Sequence, residues 1–234
     1  MYIDVIGCGG TSSYLIVPLA KLLNKYLDNL EFFLYDKDSV ELSNIERQDF
    51  NSSHISLNKA ELLNSRLIEL GIITSSIPKF VDKNLYKKIL QCREPSSLTL
   101  VIATVDNNAS RKAVIESILQ SDRDCIFITP GNEFDYGQVM TWAYINKQSI
   151  GTNPLELYAQ LKNPEDKIPG TLSCTAQESI NTQIICANLM AASCTLNAVF
   201  NLLNGYFYEL TSFDINKGRV YSIEKINLNV IKVL

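Results

Sequence analysis

Paired C-x-x-C motifs are absent from this 234-residue chain: its six cysteines, Cys8, Cys92, Cys125, Cys174, Cys186 and Cys194, stand far apart. Such pairs build zinc sites and redox loops, so reduced thiols and no zinc are expected. Apolar runs near the ~20 residues of a membrane span are also missing, and a membrane is not an expected partner. With 21 Lys and Arg against 25 Asp and Glu, the net charge is −4 and no dense basic face exists. Nucleic acid is therefore not an expected partner either, because neutralising phosphates takes clustered cations. The stretch "KNLYKK" at 83–88 reads instead as a solvated helix face. At the N-terminus no basic segment leads into an apolar stretch, so no secretory signal is expected and the cytoplasm is the expected location. The single histidine, His54, lies in a polar loop and is read as incidental.

What remains is an ordinary globular composition, 46% hydrophobic and 20% charged. The length suits one large domain spanning residues 1–234. Strand-length apolar runs at Tyr2–Ile6, Glu31–Tyr35, Leu98–Ala103 and Cys125–Thr129 alternate with helical spacing at Tyr14–Leu27, Lys59–Leu70 and Asn108–Gln120. That alternation predicts an α/β fold, a Rossmann-like doubly wound sheet whose first half is parallel. Beyond Thr129, "PGNEFDYGQVMTWAYI" alternates like an antiparallel strand, and "GYFYELTSFDINKGRVYSIEKI" predicts a hairpin turning at Asn216–Gly218. The C-terminal end of the sheet should be antiparallel and the whole sheet mixed. Between these lie a connection at about 147–175, expected to be mobile, and a helix from about Glu178 to Leu203 in which Cys186 and Cys194 both read as core.

The stretch "VIGCGGTSS" places Gly7, Gly9 and Gly10 after a strand and before a helix. Backbone N–H groups and the positive helix end can hold phosphate oxygens in that setting, and a Cβ would block their approach. An acidic residue expected at the end of the second strand to bind ribose hydroxyls is present as Asp36, with Asp38 beside it. To this point a nicotinamide dinucleotide and ATP fit equally, and a plain structural turn is a third option. Next comes "YDKDSVELSNIERQDF", which concentrates Asn44, Arg47 and Gln48 just past the ribose carboxylate, and Lys59 follows. Cations that near a phosphate loop suit a triphosphate.

With these residues in order, the chain resembles the superfamily of ThiF, MoeB and E1, ATP-dependent enzymes that adenylate ubiquitin-like and sulfur-carrier proteins. The superfamily pattern is a glycine loop, D-x-D-x-V, S-N-x-x-R-Q, a lysine and D-N-x-x-x-R. Here these read "GCGGTSS", "DKDSV", "SNIERQ", Lys59 and "DNNASR", over roughly residues 1–145. The resemblance implies ATP and Mg²⁺ as cofactors. It puts Asp36 on the ribose, Asn44, Arg47, Gln48 and Lys59 on the phosphates, and Asp106 where it helps position Mg²⁺. Read alone, Asp106 fits an N-cap or an Asx turn as well.

A second stretch, "SCTAQESINTQIICANLMA", resembles the S-C-[ST] segment ahead of the long helix in noncanonical E1 enzymes and in ThiF-like proteins of bacterial ubiquitin-like and PRTRC operons. In those E1 enzymes the cysteine carries the activated peptide as a thioester, and Cys174 is the matching position. The implied partners are a ubiquitin-like protein ending in glycine and an E2-like protein, with homodimerisation expected from the family. The chain departs from the pattern in three ways. It enters its first strand almost at residue 2, so an arginine lent in trans by an N-terminal helical extension is not expected; Ser12 stands in place of a third glycine, and Pro18 should kink the first helix. Three alternatives stay open: a sulfur-carrier adenylyltransferase that forms no thioester, a noncatalytic half of a heterodimer, and a nicotinamide oxidoreductase.

Overall fold

The structure, a computed structural model, describes residues 1–166 and 184–227. One nine-stranded sheet runs through it in the order β3-β2-β1-β4-β5-β6-β8-β9, with β7 paired to β6. The parallel part comprises β1 (Tyr2–Ile6), β2 (Glu31–Tyr35), β3 (Thr74–Ile77), β4 (Thr99–Ala103) and the N-terminal side of β5 (Cys125–Asn132). The antiparallel part comprises β6 (Tyr136–Ile145), β7 (Gln148–Ile150), β8 (Tyr206–Asp214) and β9 (Arg219–Asn227). The mixed Rossmann-like sheet expected from the sequence is the one observed.

Alternation along each strand divides the core into two layers, because successive side chains point to opposite faces. Ile3 and Val5, Phe32 and Leu34, Leu100 and Ile102, Ile126 and Ile128 face one side. There they meet α1 (Gly10–Tyr26), α2 (Lys59–Glu69) and α7 (Ile185–Leu203). Val101, Ala103, Cys125 and Phe127 face the other, against α3 (Lys83–Gln91) and α4 (Asn108–Ser121). The basic stretch at 83–88 is a helix face, as expected: Tyr86 and Leu90 turn inward while Lys83 pairs with Glu116 of α4 at 2.8 Å.

Three sequence expectations need correction. Cys194 is buried, but Cys186 is exposed. As the second residue of α7, it lies in the first turn between the exposed Ile185 and Leu189. The first helix is continuous through Pro18, which is exposed. Contrary to the expectation of no apolar run near span length, α7 is by length and composition apolar enough to cross a membrane, yet half of that stretch is buried inside the fold. In the region read as a mobile connection, β7 is followed by two single-turn helices, α5 (Pro154–Leu157) and α6 (Ala159–Lys162).

Buried in β1 is a charge, Asp4, with no solvent exposure. Arg93, just past α3, grips it through Nη1 and Nη2 at 2.8 and 2.6 Å, and the Tyr86 hydroxyl donates to it at 2.6 Å. The guanidinium also lies over the rings of Tyr2 and Phe33. Such a bidentate, fully hydrogen-bonded pair is what allows a charge to sit inside a parallel sheet.

Candidate active site

The C-terminal ends of β1, β2 and β4 open onto one cleft of about 740 Å³. Connections leave β1 toward β2 on one side and β4 lies on the other, the switch point at which open α/β sheets place their ligand sites. All ten described residues singled out from the sequence line this cleft: Gly7, Gly9 and Gly10; Asp36 and Asp38; Asn44, Arg47 and Gln48; Lys59; and Asp106. Cys174 lies outside the described residues.

Each glycine has its own reason. Gly7 has φ +90°, and a Cβ there would stand 3.0 Å from the Thr104 carbonyl oxygen. Its carbonyl accepts from the hydroxyls of Ser12 and Thr104 at 2.7 and 2.6 Å. Ser12, which departs from the third-glycine pattern, therefore braces the turn. Gly9 caps α1 with no side-chain cap, and the nearest atom a Cβ would meet is the Gln48 Nε2 at 4.0 Å, so that side opens to the cleft. Uncapped first-turn N–H groups carry the positive end of the helix.

Asp36 is held by the loop it faces. Its Oδ2 accepts from the Cys8 N–H at 2.7 Å and its Oδ1 from the Asp38 N–H at 2.8 Å. Burial raises its carboxyl above the usual range, while the two N–H groups and Lys59 pull it back. Asp38 serves through its backbone: its carbonyl accepts from the Lys59 N–H at 2.9 Å, which joins the β2 end to the start of α2. Lys59 is itself 8% exposed and forms no ion pair among the described residues.

The segment bearing Asn44, Arg47 and Gln48 is folded on itself and clamped to α1. The Asn44 Oδ1 accepts from the Glu41 N–H, and its carbonyl accepts from the N–H groups of Arg47 and Gln48. Arg66 of α2 donates to Asp49 and to the Ser13 carbonyl, and stacks over Phe50. Gln48 is 5% exposed with its Oε1 unpartnered, an unmet polar group on the cleft wall.

On the β4 side the N-cap reading of Asp106 falls away. Asn107, not Asp106, caps α4, its Oδ1 accepting from the Ser110 N–H at 2.7 Å. Asp106 remains on the cleft wall with only the Asn107 amide on its Oδ1. Arg111 closes the "DNNASR" stretch. It donates to the carbonyls of Val105 and Pro130 and to the side chains of Asn108 and Thr129. Desolvation lowers its pKa, opposed by Asp106 and Asp166. Asn132 is a further cleft-lining residue that no motif marked, and behind it the buried Asn188 accepts from its Nδ2; the signal for Asn188 was a polar residue inside an apolar helix. Past Asn132 the cleft continues along Gly137 and Met140 to Ser212 and Tyr221 of the terminal hairpin.

Burial disfavours the thiolate form of the buried cysteines. Burial pushes Cys8 well up, Cys125 up as well, and Cys194 to about 11.

Sheet order, glycine turn and carboxylate at the β2 end define a Rossmann-like α/β protein with a ligand cleft at its switch point. More particularly, the chain belongs to the ThiF family, whose model matches residues 1–229. MccB of E. coli, solved with succinimide and with ATP, superposes with a TM-score of 0.64 at 17% identity, covering 99% of this chain and 66% of that one. The microcin C7 biosynthetic enzyme MccB in complex with N-formylated MccA gives 0.62 at 17% identity, covering 99% of this chain and 67% of that one. PaaA gives 0.63 at 15% identity, with coverage of 95% and 63%. The chain thus spans less than two thirds of the length of PaaA and close to two thirds of MccB. At such identities the likeness concerns the fold. No curated protein matches the chain by sequence.

Proposed function

We propose that the chain is an ATP-dependent adenylyltransferase that activates the C-terminal glycine of a ubiquitin-like protein. Cys174 then carries the acyl group as a thioester to an E2-like protein. One observation carries the reading: residues from five segments, picked out by motif order, meet in a single cleft of about 740 Å³ at the switch point. A volume in that range suits a nucleotide with room for part of a second substrate.

Asp36 accepts from the ribose hydroxyls through the lone pairs its two backbone donors leave open. The first turn of α1, Arg47 and Lys59 surround the triphosphate, and the Gln48 Nε2, on the same wall beside Gly9, donates to it. The substrate's C-terminal tail lies in the extension toward Tyr221, its carboxylate aimed at the α-phosphorus. A carboxylate oxygen attacks that phosphorus, the bond to the bridging oxygen breaks, and pyrophosphate leaves with the electron pair. Fixed cations lower this barrier because they are in place before charge gathers on the phosphate oxygens, and the tail's in-line position supplies the rest. The Cys174 thiolate then attacks the acyl carbon and AMP leaves.

The donor set fits a magnesium ion that arrives with its nucleotide. No cluster of three acidic, His or Cys ligands exists among the described residues, and Asp106 offers one carboxylate from the wall. Mg²⁺ commonly takes one or two carboxylates and leaves the rest of its shell to phosphates and water. When bound, it neutralises phosphate charge.

The test is pyrophosphate–ATP exchange in the presence of the candidate carrier protein. Exchange should require that protein and its terminal glycine, and Arg47→Ala should abolish it. Cys174→Ala should keep exchange and lose the reducible adduct; survival of both would remove the thioester. A thiocarboxylate product without any enzyme adduct would assign the chain to sulfur-carrier activation.

A further inference from the structure

We infer that Asn188 is the positioning residue of this site: it fixes the loop bearing Arg47 against the glycine turn and thereby sets how the phosphates are gripped. The inference rests on the adenylyltransferase reading for what is gripped, but its geometry stands apart from that reading.

Among the described residues α7 buries two polar side chains, Asn188 and Thr195. Thr195 is satisfied within its own helix, its Oγ1 donating to the Ala191 carbonyl at 2.7 Å. Asn188, with no solvent exposure, turns out of the helix instead. Its Nδ2 donates to the Arg47 carbonyl at 2.8 Å, and its Oδ1 accepts from the Asn132 Nδ2 at 3.2 Å. A carbonyl partner on one side and an amide donor on the other fix which way the amide faces. The N–H of Arg47 already donates to the Asn44 carbonyl at 3.2 Å. With Asn188 on its carbonyl, the peptide groups on both sides of the Arg47 Cα are pinned.

The same side chain presses on the glycine turn. A Cβ on Gly10 would lie 2.4 Å from the Asn188 Nδ2 and 2.7 Å from its Cγ, a distance at which something must move. Gly10 has no positive φ, so the neighbour and not the backbone demands glycine there. One buried amide thus meets the α1 N-terminus, the Arg47 loop and the end of β5. An apolar residue would fill the space as well, so the polar choice points to the two hydrogen bonds.

Hydrogen exchange of the ligand-free protein and Mg-ATP calorimetry test this together, on wild type, Asn188→Ala, Asn188→Leu, Gly10→Ala and Gly10→Ala/Asn188→Ala. Asn188→Leu keeps the volume should the alanine variant fold poorly. Both Asn188 variants should speed exchange selectively in peptides covering 42–50 and weaken Mg-ATP ~5- to 10-fold, the scale of one buried hydrogen bond. Gly10→Ala should also weaken binding, and the double variant should match Asn188→Ala because the steric conflict is gone. Unchanged exchange at 42–50, or acceleration spread evenly over α1 and α7, would overturn the positioning role. So would wild-type affinity in a folded Asn188→Leu protein. Should wild type itself bind no Mg-ATP, the adenylyltransferase reading falls and takes the phosphate half of the inference with it, while exchange at 42–50 still decides the hold on the loop.

Discussion

Replacing Asp36 by asparagine alters charge and hydrogen bonding while leaving volume nearly unchanged, and the structure sets the size of the effect. The carboxylate uses one lone pair per oxygen on the Cys8 and Asp38 N–H groups. Of about four lone-pair directions, about two remain for a ribose diol. Asparagine offers a single oxygen, so its amide either sets a donor against a backbone N–H or sacrifices an acceptor toward the cleft. Loss of one to two hydrogen bonds to a charged acceptor corresponds to ~2–3 kcal/mol, or ~30- to 150-fold in the Mg-ATP Kd.

Proton linkage gives a second, independent readout. Burial raises the Asp36 carboxyl above its unfolded range, so the native state holds that proton more tightly than the unfolded chain. Its stabilising share is therefore full in acid and is lost as pH rises through the unfolded and then the folded pKa. Ribose hydroxyls donate best to the ionised form, so nucleotide binding should pull the pKa down and expel protons in mildly acid solution. Calorimetry in two buffers of different ionisation enthalpy counts those protons: wild type should release them and Asp36→Asn should not. Equal affinity in the two proteins, or the same proton count, refutes the placement of the ribose on Asp36.

Three further outcomes are expected. Arg93→Met leaves Asp4 buried against tyrosine hydroxyls alone, and urea unfolding should show a loss of ~3–5 kcal/mol. Gly7→Ala forces a Cβ to φ +90° and to 3.0 Å from the Thr104 oxygen, so thermal unfolding should register ~1–3 kcal/mol and calorimetry should register lost nucleotide binding. Asp106→Asn should raise the magnesium concentration needed for half-maximal exchange while leaving the melting temperature near that of wild type, because Asn107 and not Asp106 caps α4.

Much of the fold was legible because a parallel sheet covered on both faces needs near-continuous apolar strands, and "LTLVIA" is buried throughout its strand. What escaped was polar or paired at a distance. The edge strand Thr74–Ile77 reads "TSSI" and carries no apolar signature, since an edge has only one neighbour and little core to meet. Asp4 looks like a flaw in an apolar strand until Arg93, far along the chain, is seen to neutralise it. Cys186 read as core on an eight-residue spacing, but eight residues is a little more than two turns of 3.6. The drift, ~80°, is enough to turn one thiol into the protein and the other out.

At the site the same division has a chemical origin. Residues that meet a nucleotide are constrained by the ligand, whose ribose and phosphates do not vary, so their types and order can be recognised without a structure. Residues that hold them are constrained only by one another. Arg111 keeps its guanidinium on the Val105 and Pro130 carbonyls, bridging the loop that presents Asp106 to the end of β5. Asn188 bridges the glycine turn to Arg47. Neither grip has a spacing, because each depends on which backbone carbonyl happens to be near. A phosphate-binding loop copied onto another α/β sheet without such partners would keep the motif and lose its geometry, since on the adenylyltransferase reading a small displacement of Arg47 would move its charge away from where the phosphate charge develops.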